Sequence, residues 1–173
     1  MSRSLRFASC LFLIFIAAAC SKDVRRGNGG GLGPGQVSSS AQVVKVTAVP
    51  VNVSQSSGGD AVIALSISPG FHINANPATF SYLIATEVTA GKLEGITAGP
   101  PVYPAAVKKK FQFAEQPLAV YEGEVSIKLN LRAEANATTG RKSLPVNVRV
   151  QACDEEQCFP PATINTTIPV TLQ

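Results

Sequence analysis

The chain has 173 residues, 15 Lys and Arg against 11 Asp and Glu, and a formal net charge of +4 at pH 7. Apart from Lys108-Lys109-Lys110 the basic residues are scattered, which argues against a nucleic-acid-binding face. The sequence also shows no Ser/His/Asp arrangement for nucleophilic catalysis and no glycine-rich phosphate loop between a strand and a helix.

Residues 1–19 are predicted to be a lipoprotein signal peptide. Arg3 and Arg6 precede an apolar run over residues 7–19, the order found in export signals, and this run is too short to span a bilayer comfortably. The small residues before Cys20 resemble a bacterial lipobox, which implies cleavage before Cys20 and attachment of diacylglycerol to its sulfur. Ordinary signal cleavage nearby is the alternative. With cleavage before Cys20, Cys10 leaves with the signal peptide and the Cys20 sulfur becomes a thioether.

Residues 20–40 are predicted to be the lipidated cysteine and a flexible tether rich in Gly and Ser. Such a composition cannot bury enough apolar surface to fold, and twenty such residues have an r.m.s. reach of roughly 25 Å. Ser21, next to the lipidated position, resembles the sorting signal of outer-membrane lipoproteins. We therefore expect a lipid-anchored domain in the cell envelope, on the periplasmic face of the outer membrane.

Residues 41–173 are predicted to form one all-β domain, since about 130 residues is a usual domain size. Apolar residues alternate along residues 125–131 and 144–151, as in half-buried strands. Short strands separated by turn residues favour an immunoglobulin-like β-sandwich of antiparallel strands. The absence of Trp and of widely spaced cysteines argues against an antibody-type domain. Further β-rich stretches occur at residues 43–51, 61–68 and 80–88.

Cys153 and Cys158 are the cysteine pair of the mature domain. Alternation through Val146, Val148 and Val150 places Cys153 on the face that points away from the main core. The four residues between the cysteines fit a hairpin connection with about 4.5 to 5.5 Å between the Cα atoms, within the range of a disulfide. An exported compartment permits such a bond.

This bond has two possible roles. A structural staple is the more common one in exported domains, yet a loop of about six residues yields only roughly 2 kcal/mol of stabilisation, so a local, outward-facing bond fits redox exchange better. Phe159-Pro160-Pro161 cannot continue a regular ladder and should hold Cys158 in an accessible, edge-like setting. Asp154, Glu155 and Glu156 surround the pair with negative charge that disfavours the thiolate, so we expect them to modulate thiol ionisation.

The stretch at residues 150–161 resembles the N-terminal periplasmic domain of the transmembrane thiol:disulfide reductase DsbD, and the resemblance covers roughly residues 42–172. Residues 70–77 resemble the family's Gly-aromatic-His segment, and residues 118–131 resemble a strand entered through a Tyr. The family implies an immunoglobulin-like sandwich whose redox-active pair, here Cys153 and Cys158, takes electrons from a thioredoxin-like donor and passes them to oxidised periplasmic proteins through mixed disulfides. Which cysteine forms the mixed disulfide is left open, and we favour Cys158.

The same family covers its cysteine pair with a cap loop that bears an aromatic side chain, which resembles residues 109–115. Phe111 and Phe113 are therefore candidate shields, while core packing is an equal alternative because their spacing also fits a strand. His72, the single histidine, is expected to be structural. No metal and no cofactor is predicted, since a closed zinc site wants four ligands and His72 and the two thiols are too few.

The sequence contains neither the multispan membrane domain nor the thioredoxin-like domain of the full reductase, and no Cys-x-x-Cys motif. We therefore expect a thioredoxin-like or transmembrane thiol reductase to act in trans as the electron donor. The leading hypothesis is periplasmic thiol:disulfide interchange with oxidised envelope proteins; the direction of electron flow stays open. The alternative is a non-enzymatic immunoglobulin-like lipoprotein, an adhesion or assembly module whose disulfide is structural.

Overall fold

A computed structural model describes residues 37–173, so the predictions for the signal peptide, Cys10 and the lipidation of Cys20 lie outside the described residues. The described chain contains twelve β-strands and a 3-10 helix at Ser40–Gln42. Among residues 37–173, no helix has the length and apolar character needed to cross a bilayer. The strands are β1 (Val44–Ala48), β2 (Val51–Val53), β3 (Gly59–Ile67), β4 (His72–Asn74), β5 (Glu87–Ala90), β6 (Ile96–Val102), β7 (Val107–Lys109), β8 (Leu118–Tyr121), β9 (Glu124–Ala133), β10 (Gly140–Val150), β11 (Ala152–Cys153) and β12 (Ala162–Leu172).

Two four-stranded sheets, in the orders β1-β3-β9-β6 and β2-β12-β10-β5, form the immunoglobulin-like sandwich. All neighbouring strands are antiparallel except β2 and β12. Alternate residues of both sheets meet in one core, in which Ile63, Ile127, Val148 and Ile168 are fully buried. The prediction of an all-β sandwich is confirmed, including the alternation along β9 and β10.

The predicted strand at residues 80–88 is wrong for most of its length, because only Glu87 and Val88 enter β5. Side-chain hydrogen bonds hold the preceding residues as a loop. The Asn74 amide donates to the Ile84 carbonyl at 3.2 Å, and the Thr86 hydroxyl donates to the Asn74 carbonyl at 2.6 Å. These contacts tie the loop to Asn74 at the end of β4, 10 and 12 residues earlier in the chain, so the apolar residues of the loop pack without joining a ladder.

Residues 37–40, which the sequence assigns to the tether, pack against the domain. Val37 and Ser40 are buried. The Ser40 hydroxyl donates to the Pro160 carbonyl at 2.8 Å and accepts from the Ala152 N–H at 2.8 Å. The β10/β12 ladder ends at Val150, so one serine satisfies two backbone groups just beyond that end. The start of the domain is thereby fastened to the segment that carries the cysteines.

A third, smaller sheet has the order β11-β4-β8-β7. Its first strand, β11, follows β10 after Gln151 and so extends from the end of the β10/β12 pair. A second apolar cluster of Phe111, Leu118 and Val120 packs on this sheet, separate from the main core. The small sheet is the part of the fold that carries Cys153.

Candidate functional site

Cys153 and Cys158 form a disulfide with a sulfur–sulfur distance of 2.04 Å. The two residues face each other in an isolated antiparallel bridge, as the predicted hairpin requires. Their Cα atoms are 3.9 Å apart, which is closer than the 4.5 to 5.5 Å expected for paired strands. The hairpin is tighter than a regular ladder because a hydrogen-bonded turn closes it directly after Cys153.

Asp154 builds that turn. Its carboxylate oxygen Oδ1 accepts hydrogen bonds from the backbone N–H groups of Glu156 and Gln157, both at 2.8 Å, and its own N–H donates to the Gln157 carbonyl at 2.9 Å. Asp is well suited to this role because its short side chain can bond to the backbone two residues ahead. The turn therefore holds the two cysteines in place by local contacts that do not depend on the disulfide.

The two sulfur-bearing residues differ in exposure. Cys153 is 0% exposed, whereas Cys158 is exposed. The expectation of an outward-facing bond is therefore wrong for Cys153, which is buried outside the main core cluster, although Cys158 is accessible as predicted. The reason is that strand β4 pairs with β11 and places His72 opposite Cys153. The face turned away from the main core is thus covered by the small sheet, which alternation within β10 does not reveal.

The three acidic residues of the loop have different surroundings. Asp154 is buried and committed to the turn, while Glu155 and Glu156 are exposed. The Glu155 carboxylate lies 3.0 Å from the Lys109 ammonium. Within residues 37–173, no three His, Cys, Asp or Glu side chains are grouped as metal ligands. That the three acidic residues modulate thiol ionisation stays a prediction. The carboxylates of Asp154 and Glu155 have the partners described above, and none is found for the Glu156 carboxylate within residues 37–173.

Lys109 connects strand β7 to the cysteine loop. Its ammonium contacts the carboxylate of Glu122 at 2.8 Å as well as that of Glu155. These hydrogen bonds, first to Glu122 and then to Glu155, raise the pKa of Lys109 above its usual value. The same ammonium lies 5.3 Å from the centre of the Phe111 ring, a distance suited to a cation–π contact. One lysine thus joins the segment that carries Phe111 to the loop between the cysteines.

The two candidate shielding residues lie in different environments. Phe111 is 1% exposed and stacks on the His72 ring with 4.1 Å between ring centres. Phe113 is 44% exposed and stacks on Phe111 at 5.3 Å. Phe111 therefore both packs in the small apolar cluster and covers the residue opposite Cys153. Whether either ring shields the disulfide stays a prediction.

A family model described as the N-terminal part of thiol:disulfide interchange protein DsbD matches residues 40–169. The chain belongs to this family. The resemblance carried by residues 150–161 is thereby confirmed, and the Cys153–Cys158 bond lies inside the matched region. The match begins at Ser40, the residue that bonds to both Ala152 and Pro160.

Solved structures of DsbD-type domains are among those similar to this chain. The reduced DsbD N-terminal domain of Neisseria meningitidis is 16% identical, with 73% of this chain and 85% of that chain covered and a TM-score of 0.46. The N-terminal periplasmic domain of ScsB from Proteus mirabilis is 13% identical, with 75% and 46% covered and a TM-score of 0.47. The chain therefore spans less than half of the ScsB chain. A comparison with curated proteins found no match.

His72, which the sequence predicts to be structural, lies next to the cysteine pair, a position that the sequence did not indicate. It is 1% exposed, lies directly opposite Cys153, and its Nε2 atom is buried without a hydrogen-bond partner. Burial is the largest influence on the His72 pKa and lowers it below the usual value, against an opposing effect of Glu122. In the sequence, only its position in the Gly-aromatic-His segment set His72 apart. That segment does not reveal that His72 pairs with Cys153.

Proposed function

We propose that this domain is a thiol:disulfide interchange module of the cell envelope, in which Cys153 and Cys158 relay electrons between a thioredoxin-like donor and oxidised envelope proteins. Membership of the DsbD N-terminal family supports this function. The observation that carries the proposal is the asymmetry of the disulfide, whose Cys158 is exposed while Cys153 is fully buried. A partner thiolate can therefore approach one sulfur of the bond far more readily than the other.

In the proposed reaction the oxidised domain first takes electrons from its donor. A donor thiolate attacks the Cys158 sulfur, so that a mixed disulfide forms and Cys153 leaves as a thiolate that takes up a proton. The second donor thiol then attacks the donor sulfur of this mixed disulfide and releases Cys158. The donor is now oxidised by two electrons and the domain reduced by two.

The reduced domain then passes these electrons to a substrate disulfide. The Cys158 thiolate attacks one substrate sulfur, and the other substrate sulfur leaves and is protonated. The Cys153 thiol next loses its proton and attacks Cys158, which reforms the intramolecular bond and releases the second substrate thiol. The Asp154 turn would keep the two cysteines adjacent throughout, because its hydrogen bonds join Asp154 to the Glu156 and Gln157 backbone and involve neither sulfur.

Shielding by the segment around Phe111 belongs to the same proposal. The Phe111 ring covers His72, and Lys109 fastens this segment to Glu155 in the cysteine loop. Both partners of this ion pair are substantially exposed, so the attachment is weak enough for a docking partner to displace. Phe113 lies at the exposed edge of the stack, where it would meet that partner.

The cellular setting completes the proposal. Lipidation of Cys20 would hold the domain at the periplasmic face of the outer membrane, and the donor would be a thioredoxin-like or transmembrane thiol reductase acting in trans. Family membership supports a periplasmic place for the domain. The ScsB relative is likewise described as a periplasmic domain. The lipid anchor would supply the proximity to partners that a covalent fusion gives elsewhere.

Two variants, Cys153→Ser and Cys158→Ser, test the assignment of the cysteines. Both are made in the chain without its signal segment and with Cys20→Ser, which removes a third thiol. The partner is a thioredoxin that keeps only its first active-site cysteine, activated as a mixed disulfide with thionitrobenzoate, because a second thioredoxin thiol would release the trapped protein. Reduced Cys153→Ser should form a stable mixed disulfide with it through Cys158, detected by mass spectrometry. Cys158→Ser should trap little, because the remaining sulfur is buried. Equal trapping by both variants, or none by either, would contradict the proposal, and none by either would favour a structural bond.

A further inference from the structure

The buried Nε2 atom of His72 lacks a partner in the oxidised domain. Buried polar side-chain atoms are nearly always hydrogen-bonded, and an exception calls for an explanation such as a catalytic role. The other such atom within residues 37–173 is Oδ1 of Asn74, but the Asn74 amide is anchored by bonds to Ile84 and Gln151. His72 Nε2 is therefore a buried nitrogen beside the cysteine pair that is free to form a hydrogen bond.

The position of His72 relative to the disulfide follows from the sheet. His72 in β4 and Cys153 in β11 are direct partners in an antiparallel ladder. Side chains of such a pair lie on the same face of the sheet as nearest neighbours. A disulfide sulfur offers no proton to the imidazole, whereas the thiol of reduced Cys153 carries one. Reduction therefore supplies the donor that His72 lacks in the oxidised state.

Phe111 restricts where the imidazole can go. It stacks on the His72 ring at 4.1 Å and an interplanar angle of 22°. With both rings about 1% exposed, neither solvent nor a ring flip to the surface readily satisfies Nε2. The ladder places His72 next to the inaccessible Cys153, and the stack on Phe111 keeps the imidazole buried there.

We propose that His72 Nε2 accepts the proton of the Cys153 thiol when this thiol attacks Cys158 in the mixed disulfide. The inference deepens the proposed interchange function and rests on it. It assigns His72 as the general base for the step that occurs out of contact with solvent. Cys158 needs no such base because water reaches its thiol directly.

The step balances in atoms and electrons. The Cys153 S–H bond breaks and its proton passes to Nε2, while the Cys153 sulfur forms a bond to the Cys158 sulfur. The bond between Cys158 and the substrate sulfur breaks, and the substrate leaves as a thiolate, which takes up a proton. Over the two attacks together, the cysteine pair loses two electrons and the substrate sulfurs gain them. His72 then loses its proton and returns to the neutral form.

The charges around His72 are compatible with a neutral imidazole that accepts a proton briefly. Burial lowers its pKa, so the ring is neutral at pH 7. Glu122 after β8 and Glu155 and Asp154 in the cysteine loop favour the protonated form, whereas Lys109 in β7 opposes it. The three carboxylates outnumber the one lysine, so the surrounding charge favours the imidazolium that forms on proton transfer. Burial disfavours the imidazolium, so His72 releases the proton again afterwards.

The test follows the two halves of oxidation separately in the mature chain with Cys20→Ser. Dithionitrobenzoate is the probe: attack by Cys158 releases one coloured thiolate, and attack by Cys153 on the resulting mixed disulfide releases the second. In stopped flow, His72→Phe should leave the first phase within about twofold of the parent. The second phase should be slower by about tenfold or more, as expected for loss of a general base.

His72→Phe retains an aromatic ring for Phe111, and His72→Gln provides a second variant with a neutral polar side chain. Phe111→Leu, which removes the stack but keeps the imidazole, is the matched control and should slow the second phase much less. The second phase of the parent should also level off above the pH at which His72 is neutral, whereas that of His72→Phe should keep rising with pH. Equal second-phase rates and equal pH profiles in the parent and a folded His72 variant would overturn the inference.

A measurement without any substitution covers the case in which neither His72 variant folds. His72 is the single histidine of the chain, so its ring protons are a direct NMR probe. The proposal requires that they shift, and titrate differently, between the oxidised and reduced states; identical titrations would overturn it. The reduction potential of the pair is measured separately, so failure of the interchange function and failure of the His72 assignment are distinguishable.

Discussion

The Lys109 ammonium lies 3.0 Å from the Glu155 carboxylate and so joins strand β7 to the loop between the two cysteines. The two side chains are 37% and 63% exposed, and an exposed pair of this kind contributes about 0.2 to 1 kcal/mol. The contact is therefore minor for stability. Because the contact lies between the Phe111 segment and the cysteine loop, we expect it to affect how readily a reductant reaches the disulfide.

Removal of this ion pair should make the disulfide easier to reach. With Glu155→Gln, we expect reduction of the Cys153–Cys158 bond by dithiothreitol to accelerate by up to about fivefold, the factor that corresponds to 1 kcal/mol. Glu156→Gln is the matched control, since Glu156 is exposed in the same loop and forms none of the salt bridges found in residues 37–173. Equal acceleration by both variants would mean that loop charge, and not the contact with Lys109, controls access.

Truncation of Phe111 should affect stability and access together. Phe111 is almost fully buried, so Phe111→Ala should lower the free energy of unfolding by about 3 to 5 kcal/mol, or less if the cluster collapses around the gap. The native disulfide should also react faster with dithiothreitol. Phe113→Ala, at a 44% exposed position, should change stability by less than about 1 kcal/mol. Urea unfolding gives the first quantity, and thiol trapping in the absence of urea gives the second.

The result that would count against a shielding role is specific. If Phe111→Ala is destabilised as expected but its native-state disulfide reacts at the parent rate, Phe111 is a packing residue only. The alternative weighed from the sequence, ordinary core packing, would then account for the ring. The two readouts are needed because burial of Phe111 guarantees a stability effect under either interpretation.

The stability of the domain should fall with acid partly because of His72. Its pKa is lowered from 6.5 by burial, so the unfolded chain binds more protons than the folded chain at pH values between the folded-state pKa and 6.5. Stability is therefore fully present above about pH 6.5 and declines as the pH falls towards the folded-state pKa. His72→Phe should remove this component, so its stability should decline less than that of the parent between pH 7 and pH 5.

Urea midpoints of both proteins at several pH values measure this difference, and contributions from the carboxylates cancel in the comparison. An identical decline in parent and variant would show that His72 is not held neutral in the folded state. A steeper decline in the variant would contradict the sign of the effect. Either result would also remove support for a neutral imidazole beside Cys153.

The sequence predicted those parts of the fold that depend on local periodicity. Alternation over 125–131 and 144–151 corresponds to β9 and to β10, which ends at Val150, and the four-residue spacing of Cys153 and Cys158 corresponds to a hairpin. The apolar content of residues 80–86 was misleading, because hydrogen bonds from Asn74 and Thr86 fix that segment as a loop. Composition likewise placed Ser40 in a tether, although its hydroxyl closes the end of a ladder.

The sequence identified the residues of the candidate site, but it did not predict their burial or their contacts. The motif identified the cysteine pair and the family, since both are properties of one short stretch. Burial of Cys153 depends on the pairing of β11 with β4, and the position of Phe111 depends on its stacking against His72. These contacts join residues that are far apart in the chain, and no periodicity within a single strand encodes them.

The reduction potential of the Cys153–Cys158 bond tests the central claim most directly. The mature chain with Cys20→Ser is equilibrated against glutathione and dithiothreitol buffers, and the free thiols are trapped and counted by mass spectrometry. An interchange module requires a potential in the working range of exchange proteins, roughly −270 to −120 mV, and this is the result we predict. A potential well below about −300 mV would mark a structural staple and contradict the account.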